Sequence, residues 1–263
     1  MISYFEAVMK NATAHKKLKY YGTGEARTAV GIFSRTKKAD IVMIYVLGGT
    51  KPLGLFLDEE EIATAQPDGF TWRAMNLWLN RDVIMVTVDF PKRYFKEMLL
   101  GSTAGMNPAE RITEQRISTI EEIIKDLRAM FPKSKIMGYG HSYGSLEMSE
   151  LAKRDCLDKT IIGSGTWSAD MSTENQGIGV NEIYTNRPLL IVHHTNDETP
   201  RCKYSFAKKQ MERFDSITVT GGQPHLGLPG LDPGPHFFLS QENEVIKNII
   251  NWARDREYST FID

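Results

Sequence analysis

Gly140-His141-Ser142-Tyr143-Gly144 is where the residue types of this chain most clearly add up to chemistry. The segment fits the spacing G-x-S-x-G and lies between an apolar run, Lys135 to Tyr139, and a helical pattern, Leu146 to Lys153. A strand that runs directly into a helix makes a tight turn. A serine there is held at a strained backbone angle, and glycines flank it because side chains would collide with neighbouring backbone. Ser142 would stand exposed above the sheet, its hydroxyl at the positive end of the helix that follows. The chemistry open to such a serine is nucleophilic attack on an acyl carbon.

A hydroxyl is a poor nucleophile at neutral pH unless an imidazole takes its proton, and the imidazole needs a carboxylate to fix its tautomer. Six histidines are available. His15 lies in a basic N-terminal segment, His141 abuts the serine, and His193 and His194 close a strand. That leaves His225 and His236 in the long irregular stretch before the last helix. His236, directly ahead of Phe237-Phe238, is the preferred base and His225 the alternative. For the acid, the run Leu189 to His194 reads as buried strand, and Thr195-Asn196-Asp197-Glu198 as the loop at its carboxyl end. Asp197 is preferred there, with Glu198 in reserve. Open α/β sheets gather their sites at the carboxyl ends of strands, so Ser142, Asp197 and His236 are expected to converge. A metal centre from His193, His194 and Asp197 is disfavoured, because adjacent strand residues face opposite ways. Neither a metal nor a cofactor is expected.

Acyl transfer also needs donors for the oxyanion, and two backbone amides suffice. Tyr143, next to the nucleophile, is expected to supply one. The second is expected from Gly49, in the Gly48-Gly49-Thr50 loop after the run Ile41 to Leu47, where glycine lets the backbone approach closely.

The elements that must position these residues are legible as alternating patterns. Strands are predicted over Thr28 to Ser34, Ile41 to Leu47, Val83 to Val88, Lys135 to Tyr139, Thr160 to Gly163, Leu189 to His193 and Ile217 to Thr220. Most are short continuous apolar runs, as expected of strands buried on both faces. Between Glu114 and Met130 the residues Ile117, Ile120, Ile124, Leu127 and Phe131 recur at helical spacing, and Pro132 stops the pattern. Glu242 to Arg254 repeats it with Val245, Ile246, Ile249, Ile250 and Trp252. The alternation implies an α/β chain with a mainly parallel central sheet and helices on both faces. The acidic run Asp58 to Glu61 reads as solvated surface.

The chain has 263 residues, 41% hydrophobic and 25% charged, which suits one domain spanning 1–263. Its 32 Lys+Arg against 33 Asp+Glu leave a net charge of -1, with no positive field for nucleic acid. The longest apolar stretch, Ile41 to Leu47, is far short of the roughly 20 residues of a membrane helix. At the N-terminus the basic run Lys16, Lys17 and Lys19 follows the apolar residues, the wrong order for an export signal. Two cysteines, Cys156 in a predicted helix and Cys202 in a predicted loop, make no disulfide framework and suit a reducing compartment, so the expected location is cytoplasmic. No heptad or charged tail indicates an oligomeric state.

With these pieces in view, the chain from about Ile41 to Trp252 resembles the α/β-hydrolase fold family. The resemblance is carried by Gly48-Gly49 after a buried strand, by Val86-Thr87-Val88-Asp89-Phe90-Pro91 as a strand ending in an Asp-x-Pro turn, and by the Ser142 turn. It is carried further by His193-His194-Thr195-Asn196-Asp197 and by His236-Phe237-Phe238 before a helix. It looks most like compact bacterial serine hydrolases, which implies Ser142 as nucleophile, His236 as base and Asp197 as acid. Leu47-Gly48 stands where many relatives have His-Gly, so only the backbone role of the loop carries over. About 25 residues between Gly163 and Leu189 leave room for a small cap at most.

The expected activity is therefore hydrolysis of a small ester through an acyl-enzyme. An amidase or peptidase on the same triad, and a ligand-binding protein on a hydrolase scaffold, are the alternatives. Tyr139, Tyr143, Trp167, Phe237 and Phe238 are candidates for an apolar acyl pocket or for the core.

Overall fold

The computed structural model describes residues 15–46, 48–50, 52, 70–99, 105–167, 178–180, 183–223 and 234–263. Its nine strands form one sheet in the order β1-β2-β4-β3-β5-β6-β7-β8-β9. They are β1 (His15–Tyr21), β2 (Thr28–Ser34), β3 (Ile41–Val46), β4 (Val83–Pro91), β5 (Lys135–His141), β6 (Lys159–Gly163), β7 (Leu189–His194), β8 (Asp215–Val219) and β9 (Phe261–Ile262). β1 pairs with β2 and β2 with β4 in antiparallel fashion, while every pairing from β4 through β9 is parallel.

The continuous apolar runs form strands because both faces of the sheet are covered. Alternate residues of one strand enter two different cores: Met43 and Tyr45 of β3 join one, and Val42 and Ile44 the other. On the first face lie α1 (Phe70–Leu79) and α7 (Glu242–Ala253), which bury Trp78, Ile246 and Ile249. On the second lie α4 (Glu114–Met130) and α5 (Gly144–Lys153), the former burying Ile117, Ile120, Ile123, Ile124 and Leu127 as one stripe. Burial of such side chains contributes about 2 kcal/mol each, enough to specify which way the helix faces. Thr113 caps α4 by accepting the Arg116 amide at 3.4 Å, and the helix ends at Met130, ahead of Pro132. The remaining helices are α2 (Lys92–Leu99), α3 (Pro108–Arg111) and α6 (Tyr204–Met211). α3 carries a reciprocal cap in which Asn107 and Glu110 each take the other's backbone N–H at 3.0 Å.

The structure departs from the sequence reading in several places. β1 is a strand where the sequence suggested only a basic segment. Its lysines suit a sheet edge, and Lys19 Nζ and Tyr21 Oη both donate to Asp126, at 2.9 and 3.0 Å. β4 extends through Pro91 and β5 through His141, so both strands reach closer to the site than predicted. Cys156 lies just beyond α5 rather than in a helix. α1, α2 and α6 were not anticipated, since their apolar stripes are short and interrupted by Arg, Lys and Gln. Leu47, the Asp58 to Glu61 run, His225 and much of the stretch between Gly163 and Leu189 lie outside the described residues. No helix among the described residues is long and apolar enough to cross a membrane.

Candidate active site

Ser142 follows the last residue of β5 with φ +52°, the left-handed region that a non-glycine residue rarely occupies. Two features hold it there. Its amide donates to the Gly163 carbonyl at 3.0 Å, and its own carbonyl accepts from Ser145 at 3.0 Å as α5 begins. The turn is so tight that a Cβ on Gly140 would lie 2.4 Å from the Gly144 carbonyl oxygen, which explains the glycine at that position. Ser142 is half-buried. Its Oγ has Cys202 Sγ as partner at 3.9 Å, and no Ser142–His236 hydrogen bond is present among the described residues. Catalytic hydrogen bonds of ligand-free sites are commonly long and tighten on substrate binding.

Asp197 and His236 do meet. Asp197 lies three residues beyond β7, and His236 lies in the short helical turn Gly234–Phe237 ahead of α7. Their contact, His236 Nδ1 to Asp197 Oδ2, is 2.8 Å, and both side chains are almost wholly buried. A carboxylate only accepts, so Nδ1 carries the proton and the lone pair of the neutral ring is left on Nε2. Burial pushes the Asp197 carboxyl up, but the His236 bond and charge, His193 and the Thr199 amide at 3.0 Å outweigh it. The net shift is downward. Glu198, the reserve acid, is exposed and pairs with Lys203 at 3.5 Å.

The His236 ring is packed among other rings. His141 lies 5.1 Å and Phe237 4.8 Å from it, both edge-on, and His141 stacks on Phe237 at 5.2 Å. Tyr139 Oη and His141 Nδ1 share a hydrogen bond of 3.2 Å. Of the aromatic candidates, Tyr139, Trp167 and Phe238 are buried, and Tyr143 and Phe237 are half-buried beside the tight β5–α5 turn at Ser142, the elbow.

Of the two expected oxyanion donors, Tyr143 follows the serine in the chain and Gly49 follows Gly48, which lies against it. Gly49 has φ +65°, Tyr143 is the N-cap residue of α5, and neither amide donates to a described residue. Gly48 packs against the elbow, since a Cβ there would meet the His141 carbonyl and Ser142 Cβ at 3.0 Å.

Three arrangements were not foreseen. His194 accepts the Asn196 amide at Nδ1 (3.0 Å) and donates through Nε2 to the Gly221 carbonyl (2.9 Å), bracing the loop that carries Asp197. Cys202 sits against Ser142, yet burial and then the Asp197 charge push its thiol up to about 12, so it is not a competing nucleophile. An ion-paired cluster of Arg111, Arg116 and Glu147 adjoins the elbow. A buried Glu147 between Leu146 and Met148 was the one available hint, because a carboxylate is seldom wholly buried without partners. His193, on the opposite face from His194, stacks on Tyr204 at 6.0 Å. Among the described residues no group of three or more His, Cys, Asp or Glu could hold a metal ion.

No protein-family model matches the chain, and no curated protein matches it. Solved structures do. An α/β serine hydrolase homologue from Coxiella burnetii superposes with a TM-score of 0.56 at 11% identity, covering 89% of this chain and 96% of that one. A Xanthomonas campestris serine hydrolase described as lacking a lid gives 0.56 at 9% identity, covering 92% and 94%. The chain has the α/β-hydrolase fold. Pyrococcus horikoshii acylaminoacyl peptidase is also similar, with a TM-score of 0.58 at 13% identity; the match covers 96% of this chain but only 43% of that larger one. At such identities the likeness is one of fold. Within the α/β-hydrolase fold the carboxyl ends of β3, β5 and β7 hold Gly49, Ser142 and Asp197, and His236 follows β8.

Proposed function

We propose that this α/β-hydrolase-fold chain is a serine hydrolase that cleaves a small carboxylic ester through an acyl-enzyme on Ser142. The observation that carries the reading is the buried Asp197–His236 pair at 2.8 Å, set at the same end of the sheet as a serine held at φ +52°. Such an acid and imidazole serve a nucleophile, and the site offers that serine.

In the first step Ser142 Oγ attacks the carbonyl carbon while His236 Nε2 takes its proton. The imidazolium so formed is stabilised by Asp197, which stays ionised. The oxyanion lies against the Gly49 and Tyr143 amides, each worth about 10²-fold or more in rate. Collapse of the tetrahedral intermediate breaks the ester bond, and His236 returns the proton to the leaving alkoxide. Water then repeats the sequence on the acyl-enzyme, with His236 first as base and then as acid.

One observation favours a second reading. The likeness extends to an acylaminoacyl peptidase, and the same residues would serve an amide if the leaving amine is protonated. Both readings take the chain as one domain acting on a small molecule. The free thiols Cys156 and Cys202 favour a reducing compartment such as the cytoplasm. Hydrolysis of matched p-nitrophenyl ester and p-nitroanilide substrates separates the two. Turnover of the ester alone supports the first reading, turnover of both the second, and full activity in Ser142→Ala contradicts either.

A further inference from the structure

The Gly48-Gly49 loop poses a physical problem for the proposed reaction. Two glycines give a backbone with little conformational preference of its own, yet an oxyanion donor works only if its direction is fixed before the reaction. Something outside the loop must therefore hold it.

Arg111, at the end of α3, does so by geometry. One arm of its guanidinium donates to the Gly49 carbonyl, and the other, Nη1, donates to Glu147 Oε2 at 2.6 Å. Glu147 belongs to α5, the helix that starts at the elbow, and its second oxygen accepts Arg116 Nε at 2.7 Å. Arg116 in turn donates to the Asp89 carbonyl near the end of β4, at 2.9 Å. Arg111 also lies over the Phe90 ring at 4.7 Å and the Tyr143 ring at 5.9 Å. Arg111 and Glu147 are wholly buried and Arg116 is 3% exposed. One rigid cluster thus joins the glycine loop, the elbow, the nucleophile helix and the end of β4.

Buried ion pairs of this kind are poor stabilisers, because desolvation cancels most of their attraction. What they supply is direction. We infer that Arg111 is a positioning residue for the oxyanion site: clamped by Glu147, it fixes the peptide plane after Gly49 and so the way the loop amides face. That plane carries the Thr50 N–H, which a trans peptide turns away from Arg111; holding it sets ψ of Gly49, the residue whose own N–H is the proposed donor, and so anchors the loop on the far side of that donor. The catalytic consequence rests on the proposed hydrolase reading; the positioning itself does not.

The test compares native protein with Arg111→Gln, Arg111→Lys and Glu147→Gln, and with Leu127→Ala as a control destabilised in the core away from the loop. Steady-state hydrolysis of a p-nitrophenyl ester is measured with backbone ¹⁵N order parameters at Gly48, Gly49 and Thr50. Arg111→Gln is expected to lower kcat about 10²-fold with KM nearly unchanged, and to drop the loop order parameters from about 0.85 to below about 0.6. Glu147→Gln should act in the same direction, and Leu127→Ala should move neither readout. If Arg111→Gln does not fold, Arg111→Lys, which keeps the charge but cannot bridge both acceptors, is read in its place. Unchanged loop order in the folded variant overturns the inference. Loosening of the loop in a protein that hydrolyses no ester would uphold it and contradict the hydrolase reading instead.

Discussion

Ser142, the proposed nucleophile, holds a backbone angle that costs about 1 kcal/mol for any residue bearing a Cβ. Ser142→Gly should therefore be more stable than Ser142→Ala by about 1 kcal/mol in urea unfolding, with both variants inactive. Equal stabilities would mean that the turn is unstrained. His193 is a second residue with a measurable consequence. Burial pushes its pKa down to about 4, and the Asp197 charge and nearby backbone of Cys202 and Lys203 only partly oppose this. A folded value below the unfolded value of about 6.5 means that the unfolded chain binds the extra proton. The contribution is fully present above about pH 6.5 and is lost as pH falls to about 4. Its size is on the order of 2–3 kcal/mol. Denaturation at pH 7 and pH 4 should show this loss, and His193→Phe, which keeps the stacking on Tyr204, should shrink it by a similar amount. At this scale the candidates Ser142, Asp197 and His236 could be named because residue types and order in the chain restrict the choices, and the contact of Asp197 with His236 is the part the structure contains. The cluster of Arg111, Arg116 and Glu147 was not legible, because its members lie on three helices and no local pattern links them.

The element that matters most is the β5–α5 junction. Gly140 is dictated first by neighbouring backbone, since a Cβ there would lie 2.4 Å from the Gly144 oxygen. Gly140→Ala is expected to destabilise the protein by about 3 kcal/mol or to abolish activity through displacement of the turn, read by thermal denaturation and ester turnover together. A variant with native stability and turnover would show that the junction has slack. The strands of this region were readable because burial on both faces makes them unbroken apolar runs. β1 was not, since an edge strand rich in lysine lacks that signature, and β9 has only two residues. Helix α4 was read to its ends because a stripe of isoleucines and a proline stop agree. α6, with only Ala207 and Gln210 buried, offered no comparable stripe.

At the scale of the molecule, the described residues form one nine-stranded sheet between helices on both faces, and the candidate site lies where the parallel strands end. A sheet shared by all strands predicts one cooperative unfolding transition, with tryptophan fluorescence and far-ultraviolet circular dichroism changing together in urea. Two separated transitions would contradict the single-domain reading. Fold class was legible from the alternation of patterns, whereas substrate choice depends on contacts that no spacing in the chain encodes. The central claim is that Ser142 is a nucleophile activated by His236. It is tested most directly by treating the protein with a fluorophosphonate and locating the adduct by mass spectrometry, with His236→Ala and His225→Ala alongside. The account predicts an adduct on Ser142 that persists in His225→Ala and forms about 10³-fold more slowly or not at all in His236→Ala. An adduct on another serine, or undiminished labelling of Ser142 in His236→Ala, would contradict it.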